Sequence, residues 1–230
     1  MNINSFESLI FSHLDKNFTL KKARELTGGG ITKKNKKMPF YNYDLSAKDC
    51  IKGSVLRNVK GSICEGCYAD KGNFHYPSVK VSHKKHLESL KNGFLWSMAM
   101  AYQILYYKAK YFRFHASGDL QSLDHAKQII NLAKLTPSFK YWIPTRETKI
   151  LKELKEQTVS IPKNCIFRVS APLINGHLNS KVFRNTSSVI TSEKNASGKN
   201  ICPSLNQGGM CLDCRNCWNT RIKNINYLYH

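Results

Sequence analysis

Tyr111-Phe112-Arg113-Phe114-His115-Ala116-Ser117-Gly118-Asp119, followed after a short gap by Leu123 to Leu135, is the stretch that decides the fold. Its first part is aromatic and closes on Ser, Gly and Asp, which reads as a strand with its exit loop. The second part puts Ala126, Ile129, Ile130 and Ala133 on one face of a helix. Pro137 ends that unit, and Phe139 to Ile143 starts the next strand, leaving through Pro144-Thr145-Arg146. Thr148 to Gln157 reads as helix and Cys165 to Val169 as a third strand that exits through Ser170-Ala171-Pro172; Ser187 to Thr191 reads as a fourth strand. Strand–helix–strand units of this length bring parallel strands together through right-handed crossovers. The fold class is therefore α/β, with parallel strand–helix repeats in an open sheet or, the favoured arrangement, a partial barrel.

Upstream of that core, Phe6, Leu9, Ile10 and Leu14 recur at helical spacing, and residues 2–26 read as one or two helices stopped by Gly28-Gly29-Gly30. No strand precedes these glycines and no Lys-Ser/Thr pair follows, so they make a hinge and not a phosphate loop. Met38 to Leu45 reads as a short strand, Val79 to Leu90 as a helix with His83, Lys84, Lys85 and His86 on its polar side, and Phe94 to Ala109 as a second helix. The division that follows is an N-terminal helical extension over residues 1–36 and a single α/β domain over residues 37–230, with cysteine-rich segments near both ends of the latter.

In parallel α/β folds the loops after the carboxyl ends of the strands form the functional rim. Here they carry His115, Ser117 and Asp119, then Arg146, then Ser170. At period two, Arg113 and His115 share one strand face, as do Arg168 and Ser170. If the faces coincide, Arg113, Arg146, Arg168 and Ser170 line a basic pocket suited to an anionic ligand, since a buried guanidinium is costly without an anion. His115, Ser117, Asp119 and Arg146 are the candidates for chemistry there; Asp119 and Glu147 also suffice as internal counter-charges. Hydrolase signatures such as G-x-S-x-G and H-E-x-x-H are absent.

The cysteines are the second strong signal. Cys50 and Cys64-x-x-Cys67 lie upstream; Cys202 and Cys211-x-x-Cys214-x-x-Cys217 lie downstream. No signal peptide is read at the N-terminus and no apolar run reaches the roughly 20 residues that cross a bilayer, which points to the cytoplasm and to reduced thiols. Clustered C-x-x-C spacing in such a compartment points to metal. The downstream set has the four thiols of a [4Fe–4S] cluster or of a zinc site. Its run of consecutive C-x-x-C steps favours iron–sulfur, with zinc the alternative. The upstream three lack a fourth ligand, which leaves one position open or draws on His75 or the downstream group; pooling both sets into one centre is the remaining topology. Cys165, inside a strand, reads as a packing residue. A formal charge of +21 from 36 Lys and Arg against 15 acidic residues draws polyanions, nucleic acid above all. No membrane partner is expected.

Several of these stretches together resemble the phage gene product 88 family. They are Lys37-Met38-Pro39, Cys50, Gly61-Ser62-x-Cys64-x-x-Cys67-Tyr68-Ala69, Phe112-Arg113-x-His115-x-Ser117-Gly118-Asp119, Trp142-x-Pro144-Thr145-Arg146-Glu147, Arg168-Val169-Ser170-Ala171-Pro172 and Cys202-Pro203 through Cys217-Trp218. The likeness spans about residues 37–218, with residues 1–36 outside it. It implies a phage-encoded, cysteine-rich α/β protein and assigns no reaction. The functional expectation is a [4Fe–4S] protein with redox or radical-type chemistry at the rim, reminiscent of S-adenosylmethionine radical enzymes only at fold level, because a C-x-x-x-C-x-x-C loop is absent. The alternative is a nucleic-acid-binding protein stapled by zinc or by a cluster.

Overall fold

The computed structural model describes residues 17–179 and 181–229. The helix expected from Phe6 to Leu14 lies outside them. Six strands form one all-parallel sheet in which each strand neighbours the next in sequence: β1 (Tyr41–Asn42), β2 (Tyr111–Arg113), β3 (Lys140–Thr145), β4 (Cys165–Ser170), β5 (Thr186–Ile190) and β6 (Asn224–Leu228). This order, which winds in one direction, makes a half-barrel. Three of the strands read from the pattern after residue 110 fall close to their expected bounds. β1 keeps only two residues of the stretch from Met38 to Leu45 in the ladder, and β6 is a strand the pattern did not announce.

Helix α1 (Leu20–Leu26) precedes β1, and α2 (Ile51–Leu56), α3 (Pro77–Ser89), α4 (Phe94–Tyr106), α5 (Leu123–Leu135) and α6 (Thr148–Glu156) fill the connections from β1 to β4. α5 starts where a cap is available: the Ser122 hydroxyl accepts from the His125 amide at 3.0 Å. Its Ala126, Ile129, Ile130 and Ala133 are all at most 1% exposed, as the apolar spacing requires. They pack with Phe112, Phe114, Tyr141, Ile143, Cys165 and Phe167 from one face of the sheet, so Cys165 is a core residue. α1 does not stand apart from this core. Its Ala23 is fully buried, Ile31 joins the same cluster, and Thr32 bridges Asn42 of β1.

The opposite, inner face of the half-barrel has its own apolar group of Phe40, Trp142, Ile166 and Trp218. Trp218 reaches it from the connection between β5 and β6, donating from Nε1 to the Phe112 carbonyl at 2.9 Å. Both cysteine groups thus belong to crossover connections: Cys50, Cys64 and Cys67 between β1 and β2, and Cys202 to Cys217 between β5 and β6.

α3 corrects one expectation. His83 and His86 are 7% and 3% exposed, not on a solvated face. His86 stacks on Tyr43 with ring centroids 4.1 Å apart and donates from Nδ1 to the Asp44 carbonyl at 2.8 Å. An imidazole can be packed like an aromatic ring once its N–H has a partner, and hydropathy does not show that partner in advance.

Candidate functional site

The exit loops of β2 and β3 are tied together by Asp119. One carboxylate oxygen accepts from the Leu120 amide at 2.7 Å and the other from the Arg146 amide at 2.8 Å. Asp44, just past β1, does the same for the neighbouring loop, accepting from the amides of Ala116 (2.6 Å) and Ser117 (3.3 Å). Gly118 sits where these loops meet. Its φ is +89°, and a Cβ there would lie 2.6 Å from the Leu45 Cβ, so only glycine allows the approach. The cap of α5 is Ser122, so neither Ser117 nor Asp119 is spent on capping that helix.

The upstream cysteines sit over this rim. The backbone of residues 61–63 lies against the exit of β4: Ile63 donates to the Pro172 carbonyl and Ile174 to that of Gly61, each at 3.0 Å. Tyr68, next to Cys67, hydrogen-bonds the Ala116 carbonyl, and the Lys52 amide donates to Glu147 at 2.7 Å. Cys50 and Cys64 converge on Gly53, since a Cβ added there would lie 3.6 Å and 3.9 Å from their sulfurs. Burial pushes the Cys50 thiol up to about 12, with the charges of Asp119, Cys67 and Cys64 acting in the same direction. Cys64 is raised by burial, and Arg146 opposes that shift. Asp119 is the acid whose charge acts on both Cys50 and Cys64. His75 hydrogen-bonds the Asp70 carbonyl on an exposed turn.

The downstream cysteines line the inner face. The Cys211 amide donates to the Lys37 carbonyl at 2.9 Å and the Cys202 amide to that of Asn226 at 2.8 Å. Cys211 is raised by burial and then by Cys202. Burial pushes Cys217 up to about 12, against a hydrogen bond with Tyr227 at 3.3 Å and the charge of Arg168. Cys50 and Cys64 feel thiols of the upstream group, and Cys211 and Cys217 feel Cys202 of the downstream group. All eight cysteines are free. Among the described residues no three or more Cys, His, Asp or Glu side chains close into a metal-holding arrangement. The donor types suit a thiolate-bound metal.

The basic residues divide between two positions. Arg168 is fully buried, and its guanidinium is held by main-chain carbonyls alone: Nη1 donates to Thr186 (3.0 Å), Ile222 (3.2 Å) and Lys223 (3.4 Å), and Nη2 to Asn219 (3.3 Å). Arg113 lies between the two cysteine groups. It donates to Tyr68 at 3.3 Å and to the Met38 sulfur at 3.0 Å, and its guanidinium rests 4.7 Å from the Trp142 ring centre. Arg146 stands at the rim beside Cys64, with its Nε buried and without a hydrogen-bond partner. Arg113 and Arg168 thus act on Cys217 of the downstream group, and Arg146 acts on Cys64 of the upstream triad.

The other candidates divide as well. His115 is 2% exposed, donates from Nδ1 to the Tyr43 carbonyl at 2.6 Å and packs beside His125, on the helix side. Burial lowers it to about 3, so it stays a neutral core imidazole. Ser170 pairs with Ser187 of β5 at 3.0 Å. Ser117 is buried with an unpartnered hydroxyl near the rim. Tyr227, in contact with Cys217, carries no signal in the sequence, because two asparagines in the five-residue strand Asn224–Leu228 hide its period-two pattern.

No helix among the described residues is long and apolar enough to cross a membrane. No curated protein and no solved structure matches the chain. The sequence model of the family described as gene product 88, a family of phage gene products, matches residues 16–220. The match begins earlier than the motifs indicated and takes in most of the segment read as an extension. The chain belongs to the gene product 88 family.

Proposed function

We propose that this chain is an iron–sulfur protein, with a [4Fe–4S] cluster on Cys202, Cys211, Cys214 and Cys217. In this reading Cys50, Cys64 and Cys67 form a second thiol site at the rim, suited to redox or radical-type chemistry on an anionic ligand. The observation that carries the reading is Arg168. Among the described residues no carboxylate pairs with this fully buried guanidinium, which is held by carbonyls, and an unpaired buried ion costs on the order of several kcal/mol. Four thiolates around a [4Fe–4S] or zinc centre carry a net charge of about −2 and would supply that anion beside Cys217. Iron is favoured over zinc because the downstream thiols form one C-x-x-C-x-x-C run and not two separated knuckles.

At the rim, three thiols leave a coordination position unfilled by cysteine. A ligand arriving there would meet Arg146, so an anionic group suits it. Metal uptake by thiols held above their ordinary range releases protons. The test is anaerobic purification, or reconstitution with iron and sulfide, followed by iron, sulfide and zinc analysis and a visible spectrum. A brown protein whose Cys214→Ser and Cys64→Ser variants each lose part of the iron is expected. A colourless protein that takes zinc or no metal would end the iron–sulfur reading.

A further inference from the structure

The surface around the upstream cysteines is unusual for a chain of this charge. Ile51 and Val55 are 54% and 61% exposed and share the outer side of α2, being four residues apart. Tyr68 and Tyr76 are 59% and 58% exposed. Leu173 joins them at 44% exposure, because Ser62 bridges it across the exit of β4. Isolated apolar side chains on a surface need no explanation, but a contiguous set marks an interaction site. The segments that carry this set are tied to one another: Arg57 at the end of α2 pairs with Asp70 at 2.6 Å, in the turn that holds Tyr68.

The same segment is basic. Residues 48–80 hold six Lys and Arg against three acidic residues. One of those acids, Asp70, is taken by Arg57, and another, Glu65, accepts from the Gly61 amide at 2.8 Å. Lys52 and Lys71 are exposed, flanking Tyr68 in sequence. Exposed tyrosine rings interleaved with lysines, on a chain of net charge +21, match single-stranded nucleic acid. Phosphates are met by ammonium groups, and unpaired bases offer flat faces to stack on the rings. A duplex keeps those faces inside its own stack. A protein partner with an acidic, apolar surface would meet the same side chains, but the two exposed rings favour bases.

We propose that the face formed by α2 and the Cys64–Tyr76 loops docks single-stranded nucleic acid and presents it to the rim. The inference is independent of whether the thiols hold metal. The test is fluorescence anisotropy of the full chain with a labelled oligothymidylate of about 15 nucleotides and with a matched duplex, titrated with salt, a length that spans one such site. Single strands should bind more tightly than the duplex, with log affinity falling linearly against log salt. Tyr76→Ala should weaken binding about 10-fold. Lys52→Gln combined with Lys71→Gln should reduce the salt slope by about 1, while Lys149→Gln with Lys155→Gln on α6 should leave it unchanged. All these positions are on the surface, and circular dichroism checks that each variant folds. Equal affinity for the duplex, or indifference to Tyr76→Ala, overturns the proposal. Absence of binding at low salt also overturns it and assigns the face to a protein partner. Repeating the titration on metal-free and metal-loaded chain separates this outcome from that of the metal analysis.

Discussion

At Gly53 two effects oppose each other. Glycine inside a helix costs about 1 kcal/mol relative to alanine, so Gly53→Ala in α2 would ordinarily stabilise. Here the added Cβ would lie 2.7 Å from the Cys50 Cβ, a contact that no flexible side-chain end can relieve. Overpacking of this kind costs about 1–3 kcal/mol, so the clash wins. Gly53→Ala is expected to lower the thermal midpoint and to move both the Cys50 and Cys64 sulfurs. Differential scanning calorimetry checks the first effect and the rate of thiol modification the second. A variant more stable than the parent would show that α2 is free to shift away from Cys50.

Among the elements, the connection between β5 and β6 depends most on a single side chain. Trp218 is 5% exposed and packs its ring 4.3 Å from Phe40, 5.2 Å from Trp142 and 5.5 Å from Tyr111, measured between centroids. Trp218→Ala removes this plug and the hydrogen bond to Phe112, at a cost of about 3–5 kcal/mol. Because the lost contacts are on the inner face, the segment from Cys202 to Cys217 should loosen before the helix side does. Limited proteolysis is expected to cut within that segment in the variant and to leave the α5 region protected. The strand and helix spacing from Tyr111 to Val169 made this part of the half-barrel readable, since apolar periodicity reports which side of an element is buried. It could not report what fills the inner face, because the plug, Trp218, lies 48 residues beyond Ser170 at the end of β4.

At the scale of the whole molecule, acid should unfold the protein early. Burial lowers His86 to about 4 and His115 to about 3, and it lowers His125 as well. An unfolded histidine takes its proton near 6.5, so the contribution of these neutral imidazoles is fully present above that pH and is lost as pH falls toward 4. His83 is lowered by burial in the same way, and Asp44, Asp119 and Glu147, all raised by burial, act in the opposite sense. Burial raises Asp44 to about 6, so its ionisation costs stability as pH rises from about 4 to 6, and acidification returns part of that. Between pH 7 and 5 the balance is about 2 kcal/mol lost for each of His86 and His115, against about 1 kcal/mol regained at Asp44. The histidines win. The urea midpoint should fall over this range, and His86→Gln should flatten the fall; a midpoint that rises on acidification would show these rings to be solvated.

The sequence by itself determined the α/β class, the parallel strand–helix order after residue 110, and the two thiol groups with their spacing. Each of these is local: a period of two or 3.6, a cap, or a pair of cysteines across one turn. Only the tertiary structure decided that His83, His86 and His115 are core rings, and that Arg168 turns to main-chain carbonyls near Cys217 while Arg146 stays at the rim. It also decided that Tyr227 meets Cys217 and that Asp119 joins two strand exits. These depend on which residues distant in sequence meet across crossover connections, and polar side chains are buried only where such a meeting supplies a hydrogen-bond partner.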